Sequence, residues 1–265
     1  MSTPKKNEMT TTNNEPHLPT AILDRMAKDA GKGTSTAQED NIIPLIYILQ
    51  AQSPQVNKRS PEYIEGAEAG SIWVRNSPHP IVKGEEGILV QPCHFFKNWV
   101  EWRPRDSGGG YVSQHDDRPP EAQQSADPKN PNKVRWTLPS SGNDLVETRY
   151  HVVYVITPTG PAPYVIPMAS SGHTVSRNWM FMMNQKQIAG IRAPSWAGLY
   201  RLRTKERSNA AGTWFTWDVS DAGWIANEQE YNRGDELNRT VSSGERQAAA
   251  PVINEEIVVT ADDAM

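Results

Sequence analysis

Apolar residues along this chain fall in short runs, alternating or continuous, broken by Gly, Pro, Asn and Ser. Runs of that length and punctuation predict strands. They are Gly70 to Arg75, Gly87 to Pro92, Phe95 to Trp102, Val134 to Leu138, Tyr150 to Thr157 and Tyr164 to Pro167. Pro158-Thr-Gly-Pro-Ala-Pro163 reads as the turn joining the last two. Alternation is clearest in Tyr200-Arg-Leu-Arg-Thr-Lys-Glu-Arg207, where Arg201, Arg203, Lys205 and Arg207 take every second place and would share one strand face. Ser208 to Gly212 has hairpin-loop composition, and Gly212-Thr-Trp-Phe-Thr-Trp217 follows as a second extended segment.

Helical spacing is rarer. Asn41 to Gln50 is the most apolar run; Asp40 or Asn41 as cap, with Pro44 in the first turn, predicts a helix with Leu45, Ile48 and Leu49 on one face. Thr174 or Ser176 caps a second helix over Val175 to Ala189, with Trp179, Met182 and Met183 as its apolar stripe and Gly190 as its stop. Many short strands with one or two helices predict a β-rich α+β domain, an OB-like β-barrel with packed helices.

The ends differ from the middle. Residues 1–38 are rich in Thr, Asn, Lys and Pro and read as a flexible arm with one helical turn between Pro19 and Ala30. Residues 39–226 form the folded body, and 227–265 read as a flexible tail that turns acidic, so both termini are expected to be disordered. Within the body, Asp106 to Lys133, with Gly108-Gly-Gly110 and Pro119-Pro120, reads as a long polar loop.

Charge sharpens the picture. The 27 basic residues face 31 acidic ones, net -4, which excludes binding to nucleic acid by bulk positive charge. The cations are instead concentrated: Arg177, Lys186, Arg192 and the four of the ribbon lie between Thr174 and Arg207 against Glu206 alone. Glu255, Glu256, Asp262 and Asp263 crowd the other end. A basic working surface with an acidic tail competing for it is the expectation.

Beside the ribbon cations stand Tyr200, Trp214 and Trp217, and a second interleaved stretch, Phe95 to Arg105, adds Trp99, Trp102, Arg103 and Arg105. Cations that neutralise phosphate next to rings that stack on bases are what single-stranded nucleic acid requires. Phe95, Lys97, Trp99 and Glu101 would share one strand face; Phe96, Asn98, Val100 and Trp102 would share the other. Trp214 and Trp217 lie on opposite faces, so one is expected in the core and one at the DNA.

The chemistry of enzymes is not supported. Gly31-Lys-Gly-Thr-Ser35 fails the phosphate-loop pattern on both sides of the lysine. Cys93 is the single cysteine, so no intramolecular disulfide can form, and the histidines show no zinc spacing. His115-Asp116-Asp117 could take a divalent cation, but a solvated loop is the expectation, with no metal, no cofactor and no catalytic residue. No run approaches the roughly 18 apolar residues of a membrane span.

Asp40 to Pro54, Tyr63-Ile-Glu-Gly-Ala-Glu-Ala-Gly70, Val100-Glu-Trp-Arg-Pro-Arg-Asp-Ser-Gly-Gly-Gly110 and Ser176-Arg-Asn-Trp-Met-Phe-Met-Met183 together resemble a family of tailed-phage proteins regarded as single-stranded-DNA-binding proteins of replication and recombination. The resemblance covers Asp40 to about Trp217. It implies an OB-like fold, a non-enzymatic role, a place in the host cytoplasm, and single-stranded DNA as partner, with a homo-oligomer possible. The segment from Glu255 to Met265 resembles the acidic tail by which such proteins meet replication or recombination proteins, without a terminal aromatic. A virion or scaffold interaction module, and a nuclease accessory using carboxylates near Asp116 and Asp144, are the rival readings.

Overall fold

The computed structural model describes residues 19–29, 33 and 41–250, apart from 105–106, 128–129, 158 and 210–211. The chain divides into two units at Ala37. In the first, α1 (Thr20–Lys28) is longer than the single turn expected, with Arg25 and Lys28 in its last turn, where the helix dipole favours cations.

The second unit is strand-rich. Its first elements are β1 (Ile42–Ile43), β2 (Ile46–Ile48), β3 (Ile72–Val74) and β4 (Ile81–Val82). The expected helix over Asn41 to Gln50 is therefore two short strands, because β-branched Ile42, Ile43, Ile46 and Ile48 fit a pleat and Pro44 interrupts between them. Strands β5 (Ile88–Trp102), β6 (Tyr111–His115), β7 (Gln123–Asp127), β8 (Asn130–Thr137), β9 (Asp144–Thr157) and β10 (Gly160–Ala169) follow. The expected polar loop from Asp106 to Lys133 thus holds β6, β7 and the start of β8. Next come α2 (Gly172–Gln185), β11 (Gln187–Ile188), β12 (Ile191–Arg192), β13 (Gly198–Asn209), β14 (Gly212–Trp224), α3 (Glu228–Ser242) and β15 (Gln247–Ala248).

One long antiparallel pair organises the sheet. β5 and β9 run together from Leu89 and Ile156 to Trp102 and Asp144, with a bulge at Cys93. At one end, the base, β13 pairs β5 and β10 pairs β9; at the other, the tip, β6 pairs β5 and β8 pairs β9. Each end is therefore a five-stranded sheet, β14-β13-β5-β9-β10 and β6-β5-β9-β8-β7. The two strands expected at Gly87 to Pro92 and Phe95 to Trp102 are one, continuous through the bulge.

The small sheet β2-β3-β4 arches across the base between its outer strands. Leu45 bridges Val165 of β10, and the Gln50 side chain clamps β14, its Nε2 donating to Phe215 O at 3.0 Å while Phe215 N donates to Gln50 Oε1 at 2.9 Å. The ladders remain separate, so the described strands form no closed barrel. A β-rich fold is what the structure shows. Gly70 permits the approach of β14: a Cβ there would stand 2.6 Å from the Phe215 ring.

Two cores result. Val90, Val153, Val155, Ile166, Tyr200, Leu202 and Trp217 face α2 and the small sheet, with Trp179 and Met183. Tyr150, Val152, Tyr154 and Val165 face the opposite side, with Leu237 of α3 and Ile43 of β1.

Three boundaries move. α2 begins at Gly172, which puts Thr174 and Ser176 inside it; Ser176 is buried and bonded to His151 rather than capping. Gly190 does not stop that helix. With Ala189 it makes the β11–β12 turn at φ +79° and +51°, the left-handed pair a two-residue hairpin needs. The folded body also runs past Ala226, because Asn227 caps α3 by accepting from Glu230 N at 2.9 Å and the helix packs on β5.

Candidate nucleic-acid interface

Register decides which side chains share a face. Opposite Arg207, Lys205, Arg203 and Arg201 of β13 stand Trp214, Thr216, Asp218 and Ser220 of β14. The four cations share a face as expected. Arg203, Lys205 and Arg207 are exposed and Arg201 is half-buried. Arg203 donates from Nε to Glu85 O at 2.9 Å. The rings beside them do not serve as a platform, however. Tyr200, Trp214 and Trp217 are 0%, 7% and 5% exposed, so all three belong to the interior. The expectation that one of the two tryptophans would lie open fails: Trp217 packs in the core on the α2 side, and Trp214, on the face of Arg207, is buried as well.

Lys186 also leaves the interface. Its Nζ lies 2.8 Å from Asp221 Oδ1 and 2.8 Å from Gly223 O, over the Trp224 ring at 4.5 Å, and the residue is buried. Burial opposes ionisation of Asp221, but the Lys186 ammonium and the Gly223 and Ala222 amides outweigh it and hold that carboxyl below its usual range. Lys186 thus pins the hairpin rather than meeting a ligand. Arg192 is exposed and reaches Asn184 Oδ1 at 3.4 Å. Arg103 is exposed beside Gly110, whose O accepts from its N–H; Arg105 and the tail acids Glu255, Glu256, Asp262 and Asp263 lie outside the described residues.

The open aromatic surface is at the tip. Phe95, Lys97, Trp99 and Glu101 of β5 stand opposite His151, Arg149, Glu147 and Leu145 of β9, and Trp136 of β8 stands opposite Leu145. All share the face that α2 covers further back. Trp99 and Trp136 are half-buried and meet edge to face, centroids 6.0 Å apart at 82°. The Arg118 guanidinium lies 3.9 Å from the Trp136 centroid and 5.7 Å from that of Trp99. Lys97 is exposed one step along, and Arg149 is paired with Glu147 at 3.2 Å. Trp102 points to the opposite face, edge-on to Tyr111 at 6.1 Å.

Arg118 and Trp136 were not among the residues singled out from sequence. Arg118 lies in what reads as a polar loop, and Trp136 is a lone aromatic in its strand. The signal available was the strand at Val134 to Leu138, which places Trp136 on a face but names no partner.

Glu101 anchors this tip. It is 7% exposed and accepts from Asn143 Nδ2 at 2.6 Å, Ser113 Oγ at 2.7 Å and Ser141 Oγ at 3.2 Å, with His115 Nε2 at 3.3 Å. Burial alone would raise its pKa; these donors together hold it below the usual carboxylate range. Ser113 Oγ is also 3.0 Å from His115 Nε2. A Ser-His-acid relay needs the serine and the acid on different imidazole nitrogens, and here both meet Nε2, so the group is a brace rather than an activated nucleophile.

The ribbon cations therefore face the α3 side of the sheet, while the open aromatics, Lys97 and Arg118 face the α2 side. The geometry defines a strand-rich protein with a cation-and-tryptophan platform on an open sheet end. The chain belongs to the Pam3 phage gp34-like protein family, which matches residues 11–247. That makes it a member of a phage family, whose description names no activity. No curated protein and no solved structure matches the chain.

Proposed function

We propose that this is a non-enzymatic single-stranded-DNA-binding protein of phage DNA replication or recombination, working in the host cytoplasm. The observation that carries the reading is the half-open Trp99–Trp136 pair with Arg118 across it and Lys97 beside it. Planar rings and a guanidinium plane offer base stacking that tolerates any sequence, and exposed cations one strand step away meet phosphates. The base sheet with its arching small sheet supports an OB-like description, a barrel left open between β2 and its neighbours. The tail carboxylates are the proposed handle for replication or recombination partners and the competitor for the DNA surface.

The test is tryptophan emission on titration with unlabelled oligothymidylate. Quenching by single-stranded but not double-stranded DNA is expected, with Trp99→Ala removing most of it and weakening binding by ~1–3 kcal/mol. Unchanged emission and no gel shift would overturn the proposal.

A second reading has its own observation. Phe181, Ile188 and Ile191 are 64%, 62% and 74% exposed on α2 and the β11–β12 hairpin. Exposed apolar residues of that size favour a virion or scaffold contact. In that case emission would not respond to DNA.

A further inference from the structure

The outer edge of β5 is paired by β13 only at Ile88 to Val90 and by β6 only at Trp99 to Trp102. Between them opens a cleft of about 230 Å3, lined by Phe95 and His151 of the sheet, Met180, Met183 and Asn184 of α2, and Arg192 and Ala193 after it. That volume is below the ~300–1,000 Å3 of sites for drug-sized ligands, so the occupant is the size of a single ring system.

Its walls suit a flat heterocycle. Phe95 supplies a ring, and the two methionines supply polarisable, adaptable surface. Behind them His151 is sandwiched, 4.4 Å from Trp179 and 5.0 Å from Phe95. Its Nε2 meets Ser176 Oγ at 2.9 Å, while its Nδ1 is buried with no hydrogen-bond partner. Burial pushes its pKa down to about 3, so the ring is neutral and that nitrogen remains an unused partner for a polar ring edge. A buried acceptor left unmet is unfavourable, so a ligand that supplies a donor to it gains affinity. At the mouth Arg192 is exposed, with Asn184 beside it to orient the guanidinium.

We infer that this cleft is a nucleotide subsite, taking one unstacked base between Phe95 and the α2 methionines and its phosphate at Arg192. Phe95 lies two residues from Lys97 and four from Trp99 along the same face of β5, so a strand stacked at the tip would deliver its next base here. In that form the inference rests on the function proposed above. A free nucleotide has the same chemistry and would bind without it.

The experiment uses the full chain, with 2-aminopurine as probe, once as the free deoxynucleoside monophosphate and once as a single substitution walked along oligothymidylate. Fluorescence change reports the base, and anisotropy of an end label reports strand binding separately. Arg192→Ala, at an exposed position, is expected to weaken the subsite about tenfold, the loss of one charge-assisted contact. Ala193→Phe, filling the cleft, is expected to abolish the 2-aminopurine response while Trp99→Ala leaves the monophosphate response unchanged. Response to the monophosphate assigns the cleft to free nucleotide; response only in the oligonucleotide assigns it to the strand. If the strand binds by anisotropy but neither variant alters the probe, the subsite is wrong while DNA binding stands. If the strand does not bind and the monophosphate gives no response, both proposals fall.

Discussion

Glu101→Gln and Glu101→Ala should separate sharply. The carboxylate takes Asn143 and Ser141 on Oε1 and Ser113 and His115 on Oε2. Alanine leaves the buried Asn143 amide without an acceptor and removes two short charge-assisted bonds. At the lower end of ~1.5–3 kcal/mol each, and counting the two longer ones as nothing, the loss is ~3 kcal/mol, within the ~3–5 kcal/mol typical of breaking a buried charged network. Glutamine can keep Oε1 for Asn143 and Ser141. Its amide then faces a serine hydroxyl that can turn to accept and an imidazole nitrogen that can do so in the other tautomer. We expect a cost of about 1 kcal/mol.

Urea unfolding followed by tryptophan emission measures both, and pH provides a second axis. The folded carboxyl titrates below its unfolded value of 4.5. Its stabilisation is therefore complete above that value and is lost as pH falls through the folded one. The gap between wild type and Glu101→Gln should be present at pH 7 and close in acid below 4.5. Equal destabilisation by both substitutions, or a gap that persists in acid, would refute the view that the ionised form braces the tip.

Other consequences follow from the same geometry. His151, buried and shifted down to about 3, stabilises the fold fully above its unfolded value of 6.5 and progressively less as pH falls between the two; His151→Phe should keep the stack on Trp179 and flatten the melting temperature across that window. Lys186→Ala should lower stability, through loss of the Asp221 and Gly223 contacts, without altering the salt dependence of DNA binding. Gln50→Ala, which strips Phe215 N and O of their partners, should cost ~1–3 kcal/mol by urea unfolding. Cys93, buried with its thiol pushed up to about 12, should react with thiol reagents only as the protein unfolds.

How far the sequence foretold this depends on which interaction sets each feature. The β13–β14 ribbon was legible because alternation is local: four cations at every second place can share a face whatever lies elsewhere. The β5 strand was legible in two pieces, ending at Pro92 and resuming at Phe95, and only pairing with β9 carries the strand through the bulge at Cys93. Asn41 to Gln50 misled because a short apolar run satisfies both periods, and its isoleucines weigh less in a helical pattern than they do in a pleat. Segments 111–137 and 228–248 look polar because their outer faces are wet; their order comes from β5, β9 and the opposite core, which no local window contains. Burial of Trp214 and Trp217 is of that kind too. Alternation assigned them to different faces correctly, but the burial of both comes from packing that no local window contains.

Burial of those two rings limits where a ligand can bind. A ribbon whose rings are consumed by packing has cations but nothing for a base to lie on, and phosphate contacts alone give salt-sensitive binding to any polyanion. The tip has the converse balance, with Trp99, Trp136 and the Arg118 plane open and Lys97 the nearest free charge. Replacing Arg201, Arg203 and Lys205 by alanine tests the division. Each phosphate contact on single-stranded DNA is worth about 0.7 in the slope of log affinity against log salt. If the strand follows the α2 face, those cations contact none of it, and the slope should stay as it is while Lys97→Ala lowers it by about 0.7. A triple variant that folds normally yet flattens the slope by about 2, three times that single contact, would place the strand on the α3 face. The platform would then be a structural cluster and not the binding surface.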